Sequence, residues 1–320
     1  MNTTTSCSQK IISLAVAFLF LACSARASDN STYEFLRSDV SARSAAMAGS
    51  FVSIQNDINT MFYNPAALAT LGQPQASFGF TKNLLDVNAG YAAYGQEYNG
   101  IGTFGVGVDY VNYGSFDRTD DLQNVLGTFS AGDFAMLLGY AFTPEENLNL
   151  GVTGKLIYSS IAEAHSSALA LDAGALYYVP GPNPLTLGIS ILNLGTQLNP
   201  YLSTRESLPL DIKIGATIKP QHLPLLLSIN FHRLNEQQDS FFQRFKAFSI
   251  GGEFTLSKPL RFRFGFHNER RTDLNLGTTN GMAGFSLGGG LVLQTLRFDY
   301  AYVSLGNIGS VNQLTVAMNL

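Results

Sequence analysis

Residues 208–219 read LPLDIKIGATIK, and the side chains of this stretch alternate between two kinds. The apolar ones are Leu208, Leu210, Ile212, Ile214, Ala216 and Ile218. Between them lie small, polar or charged ones: Pro209, Asp211, Lys213, Gly215, Thr217 and Lys219. Successive side chains of a strand point to opposite faces, so this pattern predicts a strand with one apolar and one polar face. Its length suits the about 9–11 residues of a tilted membrane strand better than the about 5–6 of an average soluble strand.

The same alternation recurs from about Gln75 to the end of the chain. We count fourteen such segments, centred near Phe78, Tyr91, Val106, Leu138, Val152, Ala173, Ile189, Ile214, Ser228, Gly251, Phe264, Leu287, Tyr300 and Thr315. An apolar face repeated on every strand exceeds the few hundred Å² of exposed apolar patch that a soluble monomer tolerates. The repeat therefore favours a membrane barrel, and a soluble β-sandwich whose second sheet covers those faces is the alternative.

The connections between the segments alternate in length. Tight turns near Asn99, Pro144, Pro180, Pro220 and Pro259 occupy every second junction. Long polar loops come between them, the longest at residues 112–131, 195–207, 235–244 and 269–281. Short turns on one rim and long loops on the other are typical of bacterial outer-membrane barrels, in which the short side is periplasmic. The sequence thus predicts an all-β protein, a transmembrane antiparallel β-barrel of about 14 strands over residues 73–320, located in the bacterial outer membrane and in contact with its lipid.

Composition agrees with that class. Only 13% of residues are charged, against about a quarter in an ordinary soluble domain. The formal net charge is −4, and no basic stripe is present that would neutralise phosphates, so nucleic acid is not an expected partner.

The first residues predict a signal peptide over residues 1–27. Lys10 supplies a positive charge, and the apolar run IISLAVAFLFLA that follows is too short for a membrane-spanning helix. Cleavage after Ala27 fits a small-x-small site, and a lipoprotein-like cleavage before Cys23 is the alternative. Both cysteines, Cys7 and Cys23, lie in this region, so the mature chain is expected to contain no thiol.

Residues 28–72 lack strand alternation. Small residues dominate residues 41–50, and Pro65 suits the first position of a short helix that Asn64 would cap. Phe51, Phe62 and Tyr63 need burial. We therefore predict a short helical plug folded into the lumen, with a flexible tail as the alternative. Arg43, the charged residue in the small-residue run, would then need a carboxylate partner from the wall.

A set of charged residues falls on the inward face of the predicted strands. Its members are Asp109, Asp133, Lys155, Asp172, Asp211, Lys213, Lys219, Glu253, Arg261, Arg263, Arg297 and Asp299. Charges in a closed lumen must pair with one another, with the plug or with water. The favoured interpretation is a polar lumen that holds the plug, and a charged transport path is the alternative.

No pattern in the chain predicts catalysis, a cofactor or a metal. The four histidines, His165, His222, His232 and His267, are far apart along the chain and form no metal-binding spacing. Ser228 and His232 share a strand face only because strand geometry places alternate residues together. Gly288-Gly289-Gly290 lies inside a predicted strand, so it indicates a close approach or a bend and not a phosphate loop.

The N-terminal segment also resembles a known family. The motifs that carry the resemblance are Tyr33-Glu34-Phe35-Leu36, Ser41-Ala42-Arg43-Ser44-Ala45-Ala46-Met47-Ala48-Gly49, Asn56-Asp57 and Met61-Phe62-Tyr63-Asn64-Pro65-Ala66-Ala67-Leu68. In order and separation they resemble the N-terminal signature of the PorV/PorQ family of type IX secretion system proteins, a member of the wider group of FadL-like outer-membrane barrels. The opening motif is closer to PorQ. Its signature positions here are Arg43, Gly49, Asn64, Pro65 and Ala66.

This resemblance implies a non-enzymatic barrel component of type IX secretion that handles or attaches exported proteins at the cell surface. Other secretion-system proteins or exported cargo would be its partners. The alternative is a FadL-like outer-membrane channel for hydrophobic small molecules. Secretion predicts binding through the long loops, whereas transport predicts an apolar pocket between plug and wall.

Overall fold

The computed structural model describes residues 31–236, 240–274 and 281–320, in which fourteen antiparallel strands form one closed barrel. Each strand pairs with its neighbours in sequence, and β1 closes the barrel against β14. The strands are β1 Gln75–Lys82, β2 Asn88–Tyr98, β3 Gly102–Thr119, β4 Val125–Glu145, β5 Leu148–Ile161, β6 Ala164–Val179, β7 Leu185–Asn199, β8 Asp211–Ile218, β9 Leu225–Phe231, β10 Phe248–Thr255, β11 Leu260–His267, β12 Phe285–Leu293, β13 Leu296–Ser304 and β14 Ser310–Asn319.

All fourteen predicted strand centres lie in separate strands, so the predicted fold class is confirmed. The two rims also differ as predicted. Tight turns follow β2, β4, β6, β8, β10 and β12, and the chain enters β1 and leaves β14 at this same end, the short-turn rim. The opposite rim, called the long-loop rim, carries the three longest connections, which follow β7, β9 and β11, and its other connections are short. The predicted signal peptide, with Cys7 and Cys23, lies outside the described residues.

The alternation of side chains produces an apolar exterior. On β5, Leu156 is 55% exposed, whereas Lys155 beside it is 4% exposed and points into the lumen. Aromatic rings form a girdle near each rim. Tyr98, Phe104, Tyr140 and Phe142 lie near the short turns, and Phe231, Phe248, Phe266 and Phe285 lie near the long loops. An apolar band between aromatic girdles is the surface of a transmembrane barrel.

Two predicted loops were too long. Residues 112–131 are mostly strand, because β3 continues to Thr119 and β4 begins at Val125, so this hairpin extends past the girdle. Likewise β7 continues to Asn199, within predicted loop 195–207. Residues 208–219 contain a shorter strand than their alternation predicts. Leu208 and Leu210 precede β8 and are buried instead of facing lipid. The loops at 235–244 and 269–281 include residues that the structure does not describe.

Residues 31–71, here called the plug, run down the lumen from the long-loop rim to the short-turn rim. They contain helix α1, Ala42–Ala46, and 3-10 turns at Glu34–Arg37, Ile58–Phe62 and Pro65–Thr70. The short helix predicted to begin at Pro65 is a 3-10 turn, and its cap Asn64 has an extended backbone, as the residue before a proline tends to have. Other helical segments are α2, Asn268–Asp273, and 3-10 turns at Phe241–Lys246 and Gly306–Ile308. None of the helices in the described ranges has the length and apolar character of a membrane span.

Candidate functional site

The plug is packed as a protein core. Phe51, Ile54, Ile58, Met61 and Leu68 are each at most 1% exposed and join wall residues in one apolar cluster. The hydroxyl of Tyr63 accepts a hydrogen bond from Val40 N–H at 2.9 Å and contacts Ser44 Oγ at 2.5 Å, which ties successive turns of the plug together. Close packing of this kind argues against a flexible tail.

Wall glycines make room for the plug. A Cβ atom at Gly188 would lie 2.6 Å from Val52 O, and one at Gly251 would lie 2.6 Å from Met47 O. Gly151, Gly174 and Gly265 meet the plug backbone or Asn64 in the same way. Gly288, expected to mark a close approach or bend, lies in β12 where an added Cβ would be 2.5 Å from Ala46 Cβ. The inward face of the barrel is therefore shaped around this particular segment.

Six side chains form a closed ring of alternating charge, called here the charge ring, that joins plug and wall. Arg43 and Asp57 belong to the plug, and the other four belong to β10, β11 and β13. The contacts are Arg43–Glu253 2.8 Å, Glu253–Arg263 2.6 Å, Arg263–Asp299 2.7 Å, Asp299–Arg297 2.7 Å, Arg297–Asp57 2.7 Å and Asp57–Arg43 2.9 Å. The predicted pairing of Arg43 with a wall carboxylate is thus confirmed. Because three guanidiniums face three carboxylates, the ring is neutral.

The geometry of the charge ring favours strong ion pairs. Arg43 bonds Glu253 through two nitrogens, Nε at 2.8 Å and Nη2 at 2.9 Å, which is the paired arrangement that guanidinium and carboxylate favour. Asp57 also accepts the Asn59 N–H at 3.0 Å, which caps a plug turn. Burial alone would raise the pKa of Asp57, but Arg297 and Arg43 hold it below its usual value. The carboxylate is therefore ionised at neutral pH, where it can pair with both arginines.

The other predicted lumen charges have separate partners. Lys155 pairs with Asp172 at 2.8 Å and contacts Asn193 Oδ1 at 2.7 Å, and Lys213 pairs with Asp211 at 3.3 Å. The remaining residues fall outside the ion pairs in the described part of the chain. Asp133 accepts hydrogen bonds from Tyr113 and Ser159. Arg261 donates hydrogen bonds to carbonyls of the turn before β11. Lys219 is exposed beyond the end of β8, and Asp109 is buried beside a cavity.

The family-signature residues lie at tight points of the plug. Gly49 has φ +72°, and an added Cβ would come 2.7 Å from Asp39 Oδ1. Asn64 accepts the Ala66 N–H at 3.1 Å, so it caps the turn in which Pro65 occupies the first position. Its amide nitrogen donates to Val52 O at 2.8 Å and to Ala175 O of β6 at 3.1 Å. Asn64 thus joins two parts of the plug to the wall.

Asn64→Ala is expected to loosen the end of the plug modestly. A lost cap costs about 1 kcal/mol, and the hydrogen bonds to Val52 O and Ala175 O are lost with it, so we expect a change of at least about fivefold in equilibrium. We expect increased protease cleavage near residues 60–71 of the purified barrel, mapped by mass spectrometry. Asn99→Ala, in the exposed turn after β2, is the control and should cleave like wild type. Complete cleavage of residues 31–71 in the unmodified protein would contradict the plug itself.

A cavity of about 350 Å³ lies between plug and wall on the long-loop side, and we call it the plug–wall cavity. Its apolar lining comes from plug and strands alike: Phe35, Val40, Val87, Ala89, Tyr91, Val111, Val303, Leu305 and Val311. Polar and charged side chains line the rest of it, among them Glu34, Asp39, Thr81, Asp109, Arg270 and Gln313. Small-molecule sites typically enclose about 300–1,000 Å³.

A second cavity of about 330 Å³, the loop-side cavity, opens beside the ends of β9 and β11. It is polar, and it brings together His232 and His267, whose ring centroids are 4.7 Å apart. Sequence reasoning missed this pair because the residues are distant along the chain. The sequence signal that could have revealed the pair is that His232 directly follows β9 and His267 ends β11, two strands that end at the same rim. Ser228 and His232 form no catalytic pair, since Ser228 Oγ accepts from Thr217 and His232 Nε2 contacts Glu269.

A barrel filled by its own N-terminal segment, with a cavity of mixed apolar and polar lining between them, defines a class of plugged membrane barrel. Solved structures of the same shape include a FadL homologue from Pseudomonas aeruginosa, which has a TM-score of 0.55 and 12% identity and covers 88% of this chain and 98% of that one. The toluene transporter TbuX from Ralstonia pickettii has a TM-score of 0.57 and 12% identity, and the match covers 87% of this chain and 96% of that one. The toluene transporter TodX from Pseudomonas putida has a TM-score of 0.55 and 13% identity, and the match covers 92% of this chain and 98% of that one.

The chain therefore has a FadL-like barrel fold. No protein-family model matches it, and no curated protein matches it in sequence. Two of these three similar structures are toluene transporters, and the third is a FadL homologue.

Proposed function

We propose that this protein is an outer-membrane channel for small hydrophobic molecules, in which the plug–wall cavity receives the solute. The observation that carries the proposal is the set of apolar side chains from plug and wall that meet in this cavity, beside the polar and charged residues that line the rest of it. The shared fold with toluene transporters supports the same function. Lipid contact through the apolar exterior and residence in the bacterial outer membrane are part of this proposal.

The closed state follows from the packing. A solute in the plug–wall cavity is separated from the short-turn rim by the plug core and by the charge ring. Passage to the periplasm then requires the plug to shift away from the wall. The neutral ring holds the plug against the wall without leaving any of the ring's own charges unpaired.

The secretion role implied by the PorV/PorQ-like motifs remains a prediction. Those motifs occupy the plug, where Arg43, Gly49 and Asn64 each have a structural task. A plugged channel needs these residues whether its cargo is a solute or a protein. We therefore place the hydrophobic channel first and keep secretion as the second candidate.

Val111→Phe is expected to reduce uptake. Val111 is 7% exposed and lines the plug–wall cavity, so a larger side chain fills space that the solute would occupy. We expect at least a severalfold loss of toluene uptake by cells that depend on this protein, measured with radiolabelled toluene.

The matched control for that experiment is Val106→Phe, on the outward face of the same strand, where the side chain is 44% exposed. It should transport like wild type. Equal uptake by both variants would rule out this cavity as the solute site. Intact toluene uptake together with loss of surface secretion in a deletion strain would move the secretion role to first place.

A further inference from the structure

The loop-side cavity contains a group of metal-ligating side chains that the channel function does not use. His232 follows β9, His267 ends β11 and Glu269 lies in helix α2, so three separate parts of the rim meet there. Each residue offers one ligand atom, and the three atoms lie within 4.8 Å of one another. Among the described residues, it is the one group of three His, Cys, Asp or Glu side chains whose ligand atoms lie close enough to share an ion.

The fold produces this arrangement through strand register. Strands β9 and β11 flank β10, with Asn230 paired to Ser249 and Ser249 paired to His267. His232 continues β9 by one more residue pair and donates its backbone N–H to Ala247 O at 3.0 Å. The two imidazoles therefore reach the rim on the same inward side. Helix α2 begins directly after His267 and brings Glu269 back over them.

The orientation of the groups suits a metal ion. Glu269 Oε2 lies 3.1 Å from His232 Nε2, while Glu269 Oε1 is held by Arg233 Nη1 at 2.8 Å. One carboxylate oxygen is thus fixed by a second partner while the other faces the histidine, as outer partners commonly orient metal ligands. His267 Nδ1 accepts the Arg270 N–H at 3.2 Å, which sets the plane of the second ring.

Distances and charge are compatible with a bound cation. Zn–N and Zn–O bonds of about 2.0–2.2 Å place tetrahedral ligand atoms about 3.4 Å apart, so side-chain shifts of about 1 Å complete the set. The carboxylates Asp39, Asp211, Glu269 and Asp273 line the cavity and balance Arg37, Lys213, Arg233 and Arg270. With neutral histidines the formal charges of the cavity lining therefore sum to zero.

We propose that His232, His267 and Glu269 bind a divalent transition-metal ion of the Zn²⁺ type at the long-loop rim. Imidazole and carboxylate donors suit zinc and its neighbours, and three protein ligands leave a fourth position for water. The ion joins the ends of β9 and β11 to helix α2 across β10, and so braces the wall beside the mouth of the lumen.

The test is Zn²⁺ titration of the complete purified barrel, prepared without a polyhistidine tag and stripped with EDTA, followed by calorimetry. Wild type should bind one ion per chain. His232→Gln and His267→Gln should each weaken binding by at least about 100-fold, the upper end of what even an outer-shell partner costs. His165→Gln and His222→Gln remove histidines outside the cavity and should bind like wild type.

Folding of each variant is checked by its heat-dependent migration on gels. If either histidine variant does not fold, Glu269→Gln replaces it, because the amide keeps the size of the side chain while the anionic ligand is lost. A visible Co²⁺ spectrum of tetrahedral type in wild type, absent from the folded variants, would support the same ligand set. No stoichiometric binding by wild type, or unchanged binding by folded variants at two of the three positions, would overturn the proposal.

Discussion

Replacing Arg43 by methionine is expected to release the plug from the barrel wall. The variant leaves the carboxylates of Asp57, Glu253 and Asp299 facing only two guanidiniums in a buried site. Removing one partner of a buried ion pair costs about 3–5 kcal/mol, so the population of released plug should rise at least about 100-fold. Protease cleavage within residues 31–71 and single-channel conductance in planar bilayers would both detect it.

Two variants separate the ring from general damage. Arg261→Met removes a nearby guanidinium that contacts turn carbonyls outside the ring, and it should behave like wild type. Arg43→Met combined with Glu253→Gln restores a neutral ring and should recover part of the plug's protection. If the double variant is no tighter than Arg43→Met alone, charge balance is not what holds the plug.

The pH dependence of plug release tests the same charge ring. The pKa of Asp57 in the folded protein lies below its unfolded value, so its stabilising effect is complete above about pH 4. The effect is lost as the pH falls through the folded value. Plug release through protonation of Asp57 should therefore occur only below about pH 4 in wild type.

Gly151→Val is expected to displace the plug by steric overlap. A side chain at Gly151 would occupy the space of the Pro65 carbonyl carbon and the Ala66 nitrogen, which are backbone atoms and cannot rotate away. Overpacking of this kind costs about 1–3 kcal/mol even in cores that can adjust. We expect a protease-sensitive plug and a conducting barrel that still folds, because valine suits a strand.

Gly154→Val on the same strand is the matched control. Gly154 faces outward, and an added Cβ there meets nothing within 4 Å. This variant should keep the plug protected and the barrel closed. A Gly151→Val barrel with a fully protected plug would mean that the plug does not pack against β5 as described.

The barrel was predictable because its determinants are local. Alternation such as that of residues 208–219 sets each strand and its inward face, and the turns near Pro180 and Pro259 separate consecutive strands. The predicted loop at residues 112–131 was wrong for a related reason. Outside the membrane a hairpin no longer needs an apolar exterior, so its strand signal weakens while the backbone pairing continues.

The site was predictable only in part. The need of Arg43 for a carboxylate followed from burial, but its choice of Glu253 depends on the register of β10 and β11. Asp57 belongs to the Asn56-Asp57 motif, but nothing in the sequence assigned it an arginine partner, because Arg43 of the plug and Arg297 of the wall share it through the tertiary packing. His232 and His267 were likewise hidden by their separation along the chain.

We call the proposed movement of the plug away from the wall, which lets the solute pass, plug gating. The measurement that tests it most directly is solute uptake with the plug locked to the wall. Ser50 of the plug and Ser249 of β10 lie with their Oγ atoms 3.0 Å apart, and the mature chain is expected to contain no other thiol once both are changed to cysteine. A disulfide between them, with its bond of about 2.05 Å, would fix the plug in place.

Plug gating predicts that the Ser50→Cys/Ser249→Cys protein takes up toluene like wild type when reduced and loses uptake when oxidised, with each single variant insensitive to oxidation. Uptake that continues unchanged in the fully oxidised double variant would contradict plug gating, because the solute would then cross without any movement of the plug.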